Sequence, residues 1–122
     1  MITLKNIDHV CLWVRSLAES KAYYERLFGV ICTSREGDPA TLVVESEQIH
    51  FFMSEARSDH PFLAQQHISF AVDSLDAVIA ALGHLGINDY TTGTVNFFQH
   101  HNYRWCEWRD PSGIRVECVE HI

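Results

Sequence analysis

Hydrophobic and polar residues alternate over residues 5–14 and again over 66–73, and the two stretches share one design. The first runs into Asp8-His9-Val10-Cys11-Leu12-Trp13-Val14-Arg15-Ser16-Leu17, and the second into Gln66-His67-Ile68-Ser69-Phe70-Ala71-Val72-Asp73-Ser74-Leu75. His67 follows His9 by 58 residues, and apolar positions coincide at Val10/Ile68, Leu12/Phe70 and Val14/Val72. Period-two alternation predicts a β-strand in each copy. His9, Cys11 and Trp13 then share one face, with Val10, Leu12 and Val14 on the other. In the second copy His67, Ser69 and Ala71 share the first face.

A helix is predicted after each strand. Ser16 and Glu19 have capping-box spacing, and Leu17, Tyr24, Leu27 and Phe28 form an apolar stripe. In the second copy Ser74 is the expected N-cap, and Leu75, Val78, Ile79, Leu82 and Leu85 repeat at helical spacing. The apolar strand face must lie under this helix, which turns the histidine face the other way. Further strands are predicted over 30–35, 40–45 and 48–53, then over 88–97, 102–109 and 114–120. Glu36-Gly37-Asp38-Pro39 and Asp110-Pro111-Ser112-Gly113 read as turns, and residues 56–64 as a linking loop. The pattern is βαβββ twice, an α+β chain of two modules, 1–62 and 63–122, within one domain.

Composition narrows the partners. The 122 residues are 47% hydrophobic, enough to fill one core, and no apolar run is long enough to span a membrane. A net charge of −7 argues against nucleic acid and anionic membranes. The start, Met1-Ile2-Thr3-Leu4-Lys5-Asn6, lacks a signal-peptide core, and the four cysteines show no CxxC or scaffold spacing. Reduced thiols in a cytoplasmic protein are expected.

The last strands of the modules match if Val116-Glu117-Cys118 is laid over Ile49-His50-Phe51. The offset is then 67, nine more than for the histidines, which assigns nine extra residues to the loop around 91–102. On this match His50 and Glu117 are equivalent, as His9 and His67 are. Three histidines and a carboxylate on one set of faces suit Zn, Ni, Fe or Mn. The plainer alternative is hydrogen-bonded core histidines and a half-exposed glutamate. His50 fits either a ligand or a group supporting one.

Together these residues resemble the vicinal oxygen chelate superfamily, which includes glyoxalases, bleomycin-resistance proteins and extradiol dioxygenases. The matching pieces are Ile7-Asp8-His9-Val10, Tyr23-Tyr24-Glu25-Arg26-Leu27-Phe28-Gly29-Val30, His67-Ile68-Ser69-Phe70-Ala71-Val72 and Asp110-Pro111-Ser112-Gly113-Ile114-Arg115-Val116-Glu117. The resemblance implies paired βαβββ modules forming an open, barrel-like cup. It implies His9, His67 and Glu117 as the ligands of a divalent metal, and a homodimer. Members that only bind drugs usually lack the full ligand set, so its presence favours an enzyme.

Within that family the residues discriminate between reactions. Glyoxalase I has a glutamate where the match sets His50. Extradiol dioxygenases share the His, His, Glu set and the Pro111-Ser112-Gly113…Glu117 tail. Their motif expects a tyrosine at the position of Glu107, although His100 stands at a plausible distance for its histidine. No cluster of Lys, Ser and Arg suits the phosphonate of a fosfomycin-modifying transferase. Glu107 shares a strand face with Tyr103 and Trp105, and the motif resemblance implies that this face points inward; Glu107 is then expected to have its pKa raised by those rings and to act as a base abstracting a proton beside a carbonyl. The plainer alternative is a surface glutamate. Trp13, Phe52, Tyr103 and Trp105 are candidates to line the site, and Arg15 or Arg115 to hold a substrate carboxylate, with plain core rings and solvated arginines as the blander alternatives. The leading expectation is a metal-dependent lyase or isomerase acting on a small oxygenated molecule. A ring-cleaving dioxygenase and a non-catalytic drug-binding protein are the alternatives.

Overall fold

The computed structural model describes residues 1–57, 60–97 and 101–122. The chain divides into two units, Met1–His60 and Pro61–Ile122. The first contains β1 (Cys11–Val14), α1 (Leu17–Phe28), β2 (Ile31–Arg35), β3 (Asp38–Glu45) and β4 (His50–Glu55). The second opens with a short 3-10 helix over Pro61–Gln65, where a plain loop was expected. It continues with β5 (His67–Ala71), α2 (Leu75–His84), β6 (Tyr90–Val95), β7 (Tyr103–Arg109) and β8 (Arg115–His121). Each unit is a βαβββ module with a four-stranded mixed sheet, in the orders β1-β4-β3-β2 and β5-β8-β7-β6. The first strand of each runs parallel to the last, and the other pairs are antiparallel.

Sequence-local chemistry sets the helix boundaries. The Ser16 hydroxyl accepts from the Glu19 N–H at 3.2 Å, and the Ser74 hydroxyl from the Ala77 N–H at 3.1 Å, capping α1 and α2. Gly29 ends α1 in the left-handed region at φ 66°, where a side chain would be strained. The first hairpin is tighter than predicted. Only Glu36 and Gly37 turn, with Gly37 at φ 74°, and β3 resumes at Asp38 with Pro39 inside it.

One expected strand is much shorter than its pattern. β1 begins at Cys11 rather than residue 5, because it pairs only with β4. Phe52 donates its N–H to the Val10 carbonyl at 2.9 Å, but the chain before His50 is a turn in which Ser46 donates to the Ile49 carbonyl. Among the described residues, those before Val10 have no facing strand within their unit, and Ile2, Leu4 and Ile7 stay exposed. Val10, placed by alternation on the helix side, is 45% exposed at the start of the pairing.

The helix-facing sides form the cores. In the first unit Leu12, Val14, Leu42, Val44, Phe51 and Met53 are buried with Tyr24 of α1. In the second, Cys106, Trp108, Val116 and Cys118 are buried with Leu75 and Leu82 of α2. The opposite faces carry His67 and Ser69 in one sheet and Cys11 and Trp13 in the other, all exposed. Burying the apolar side under the helix thus fixes which side chains face away from the core.

Candidate functional site

The second unit gathers a compact donor set. Ser69 of β5 and Glu107 of β7 both pair with Glu117 of β8, and His67 pairs with Arg115. Side chains alternate along each strand, so His67, Glu107, Arg115 and Glu117 emerge on one face, away from buried Cys106 and Cys118. His67 Nε2 stands 3.5 Å from Glu117 Oε1. One donor atom each from His67, Glu107 and Glu117 lies within 4.8 Å of the others, the spacing that lets three groups share one ion. Imidazole plus carboxylate suits Zn, Ni, Fe or Mn. Glu117 is only 9% exposed. Burying a carboxylate is costly unless it is paired, so its place beside an imidazole needs a functional or electrostatic reason.

The turn before β8 aims these groups. The buried Asp110 carboxylate accepts from the Ser112 and Ile114 N–H groups at 2.8 and 2.9 Å. Arg109 ties the same turn down by donating to the carbonyls of Ala64 and Gly113 at 2.7 and 2.9 Å. The Asp110-Pro111-Ser112-Gly113 motif therefore sets the register that puts Glu107 opposite Glu117.

Glu107 shares the sheet face of His67 and Glu117, but its electrostatics differ from expectation. Arg115 grips it with both arms of the guanidinium, Nε to Oε1 at 3.0 Å and Nη2 to Oε2 at 2.7 Å. That hydrogen bonding holds the Glu107 carboxyl below its ordinary value and outweighs the opposing effect of burial. The predicted upward shift from Tyr103 and Trp105 is thus overturned. The Trp105 indole lies over Gly93, so close that a Cβ there would fall 2.5 Å from the ring, and the Tyr103 ring stands 6.0 Å from that of His121. On sequence alone Arg115 is set against a substrate carboxylate or solvent and is not paired with Glu107. The signal was present: a hairpin closed by residues 110–113 brings 107 and 115 diagonally together.

The first unit brings His9 and His50 together, with ring centroids 6.4 Å apart and edge to face. Phe52 packs against both, at 4.3 and 5.3 Å, and Arg35 lies over its ring at 5.4 Å. His9 sits just before β1 rather than within it. Its Nδ1 stands 2.6 Å from the Asp8 carboxylate and holds that group below its ordinary pKa. His50 Nδ1 is 3.5 Å from Glu45. The predicted equivalence of His50 and Glu117 is not the one the strands adopt. The repeat matches Cys11 with Ser69, whose partners are Phe52 and Glu117, so Phe52 occupies the Glu117 position and His50 that of Arg115. The offset on β4 and β8 is 65 residues, so the insertion is seven residues rather than nine. Sequence similarity between these short strands could not reveal a slip of two, because it preserves which face each residue occupies.

Trp13 is 45% exposed on the histidine side of β1. Arg15 is paired with Glu19 at 2.6 Å. The predicted His100 lies outside the described residues. Cys11, Cys32, Cys106 and Cys118 are free thiols, and desolvation pushes Cys118 up to about 12. Among the described residues no helix is long and apolar enough to cross a membrane.

The family described as the Glyoxalase/Bleomycin resistance protein/Dioxygenase superfamily matches residues 6–118. The uncharacterized protein YaeR of Escherichia coli (strain K12) is 24% identical, over 98% of this chain and 99% of that protein. A Salmonella typhimurium virulence protein superposes with a TM-score of 0.81 at 16% identity, covering 99% of this chain and 100% of that one. The lactoylglutathione lyase of Agrobacterium tumefaciens gives 0.71 at 17% identity over 97% and 95% of the two chains. A bleomycin resistance determinant encoded on transposon Tn5 gives 0.74 at 15% over 96% and 98%. The fold is therefore shared by proteins whose names denote both catalysis and drug resistance.

Proposed function

The chain belongs to the glyoxalase/bleomycin resistance protein/dioxygenase superfamily, and from that premise we propose that it is a metal-dependent lyase or isomerase of the glyoxalase type. The observation that carries this reading is the convergence of His67, Glu107 and Glu117 within 4.8 Å. His67 and Glu117 would hold a divalent ion. Such an ion, when bound, polarises substrate oxygens and stabilises charge that develops beside a carbonyl. Glu107 is the proton acceptor. Its depressed pKa keeps it ionised throughout the neutral range. Arg115 orients it and offers a guanidinium to a substrate oxygen, while Tyr103 and Trp105 form the apolar wall on the same strand face, as Phe52 and Trp13 do in their own unit.

A ring-cleaving dioxygenase is the second reading, favoured by one feature. Phe52 stands in its sheet where Glu117 stands in the other, as expected if the site has the single carboxylate used by non-haem iron enzymes. Elemental analysis of purified protein, paired with assays of hemithioacetal isomerisation and catechol cleavage, separates these. Zinc or nickel at about one per chain with isomerase activity is the expected result. Iron with ring cleavage would transfer the assignment to the dioxygenases. No metal after reconstitution would leave a small-molecule binder.

We also propose a cytoplasmic homodimer. Free thiols support the compartment, and the exposed Ile31 (62%), Ile2 (86%) and Leu4 (84%) support the assembly. Sedimentation at tens of micromolar should give about twice the 14.0 kDa chain mass. A single-chain mass would exclude the dimer.

A further inference from the structure

We propose that Arg115 is a positioning residue that keeps Glu107 from becoming a metal ligand. The inference rests on the reading of His67 and Glu117 as ligands and deepens it. Two carboxylates and an imidazole lie within one ion's reach, yet the two carboxylates are treated differently. Both Glu107 oxygens are engaged by the Arg115 fork at 3.0 and 2.7 Å. Glu117 instead turns Oε1 toward His67 Nε2 at 3.5 Å. A two-armed guanidinium is a strong and directional partner, which a single ammonium cannot copy.

The fork is available for this task because of the fold. Arg109, the residue opposite Arg115 in the β7–β8 register, commits its guanidinium to the carbonyls of Ala64 and Gly113. Arg115 is left to serve Glu107. The result is a carboxylate beside the metal but not on it. A base so placed can take a proton without first breaking a metal–oxygen bond. Arg115 therefore trades metal affinity for an unligated base and an open coordination position.

The test is metal binding, free of any substrate. Co(II) and Zn(II) affinities of the full chain are measured by chelator competition for the parent, Arg115→Met, Arg115→Lys, Glu107→Gln and the Arg115→Met/Glu107→Gln double variant. Circular dichroism checks the fold of each. Arg115→Met should bind Co(II) about 10–100-fold more tightly, the scale on which neighbours of a metal site alter affinity. Its visible absorption should change as an oxygen ligand is added. Glu107→Gln alone should bind no more tightly than the parent, since it leaves the Arg115 charge unpaired beside the ion, and should keep its spectrum, and the double variant should lose both the gain and the spectral change. Arg115→Lys should fall between. Unchanged or weaker binding in Arg115→Met, or a gain that survives in the double variant, overturns the inference while the metal reading stands. No binding in either the parent or Arg115→Met overturns both. Binding that only Arg115→Met acquires supports the inference.

Discussion

His67→Ala is expected to strip the chain of its metal. The imidazole lies beside Glu117 in the donor set, with Nε2 3.5 Å from Oε1, and its removal leaves a single short methyl on β5. Loss of a direct ligand should weaken binding by more than the roughly 10–100-fold that removal of a supporting group costs. His50→Ala provides that comparison, because His50 pairs with Glu45 and stands against Phe52 in its own unit. The fold should survive, since the His67 side chain is 36% exposed on the face away from the core. Metal content after purification and a chelator titration give the result. An unchanged metal content in His67→Ala would remove the site, and with it the enzymatic reading.

Much of this was legible in the chain because two constraints act together on short strands. Burial under a helix forces one face apolar, and the period of two then fixes the other. That is why Leu12 and Val14 were assigned to the core and His67 to the open face, and why the serine caps at 16 and 74 marked both helices. For Glu107 alternation gave only its companions Tyr103 and Trp105, and it was the family motif that turned that face inward.

What stayed hidden depends on pairing between distant strands. The alternating pattern of residues 5–10 could not show that the turn before β4 leaves them without a partner. A slip of two residues conserves facing, so alternation gave His50 the position that the parallel pairing Cys11↔Phe52 assigns to Phe52. The Arg115–Glu107 pair was hidden for a related reason. Each residue was judged by its own strand face, whereas their charges compensate across the hairpin. Local pattern therefore recovers which face a group occupies, and tertiary register decides what it meets there.

Glu107→Gln should have two separable consequences. The first concerns stability in metal-free protein. The folded-state pKa of Glu107 lies below its ordinary 4.5, chiefly because Arg115 hydrogen-bonds the ionised form. A depressed carboxylate contributes stability that is fully present above the unfolded value and is lost as pH falls through the folded one. Glutamine removes that contribution. Urea denaturation should therefore find the variant less stable than the parent at pH 7, with the gap closing as pH drops below 4.5. A gap that persists unchanged into acid would mean that the amide disturbs packing rather than the ion pair. The second consequence concerns turnover. Glutamine keeps the shape of the side chain and cannot take a proton, so activity on the substrate identified by the isomerase and dioxygenase assays should fall by about 10²–10⁴-fold, the scale for loss of a general base. Metal should be retained, since Arg115 already holds this carboxylate off the ion. Full activity in a folded, metal-loaded Glu107→Gln protein would eliminate Glu107 as the base and shift proton transfer to another group on the His67 face.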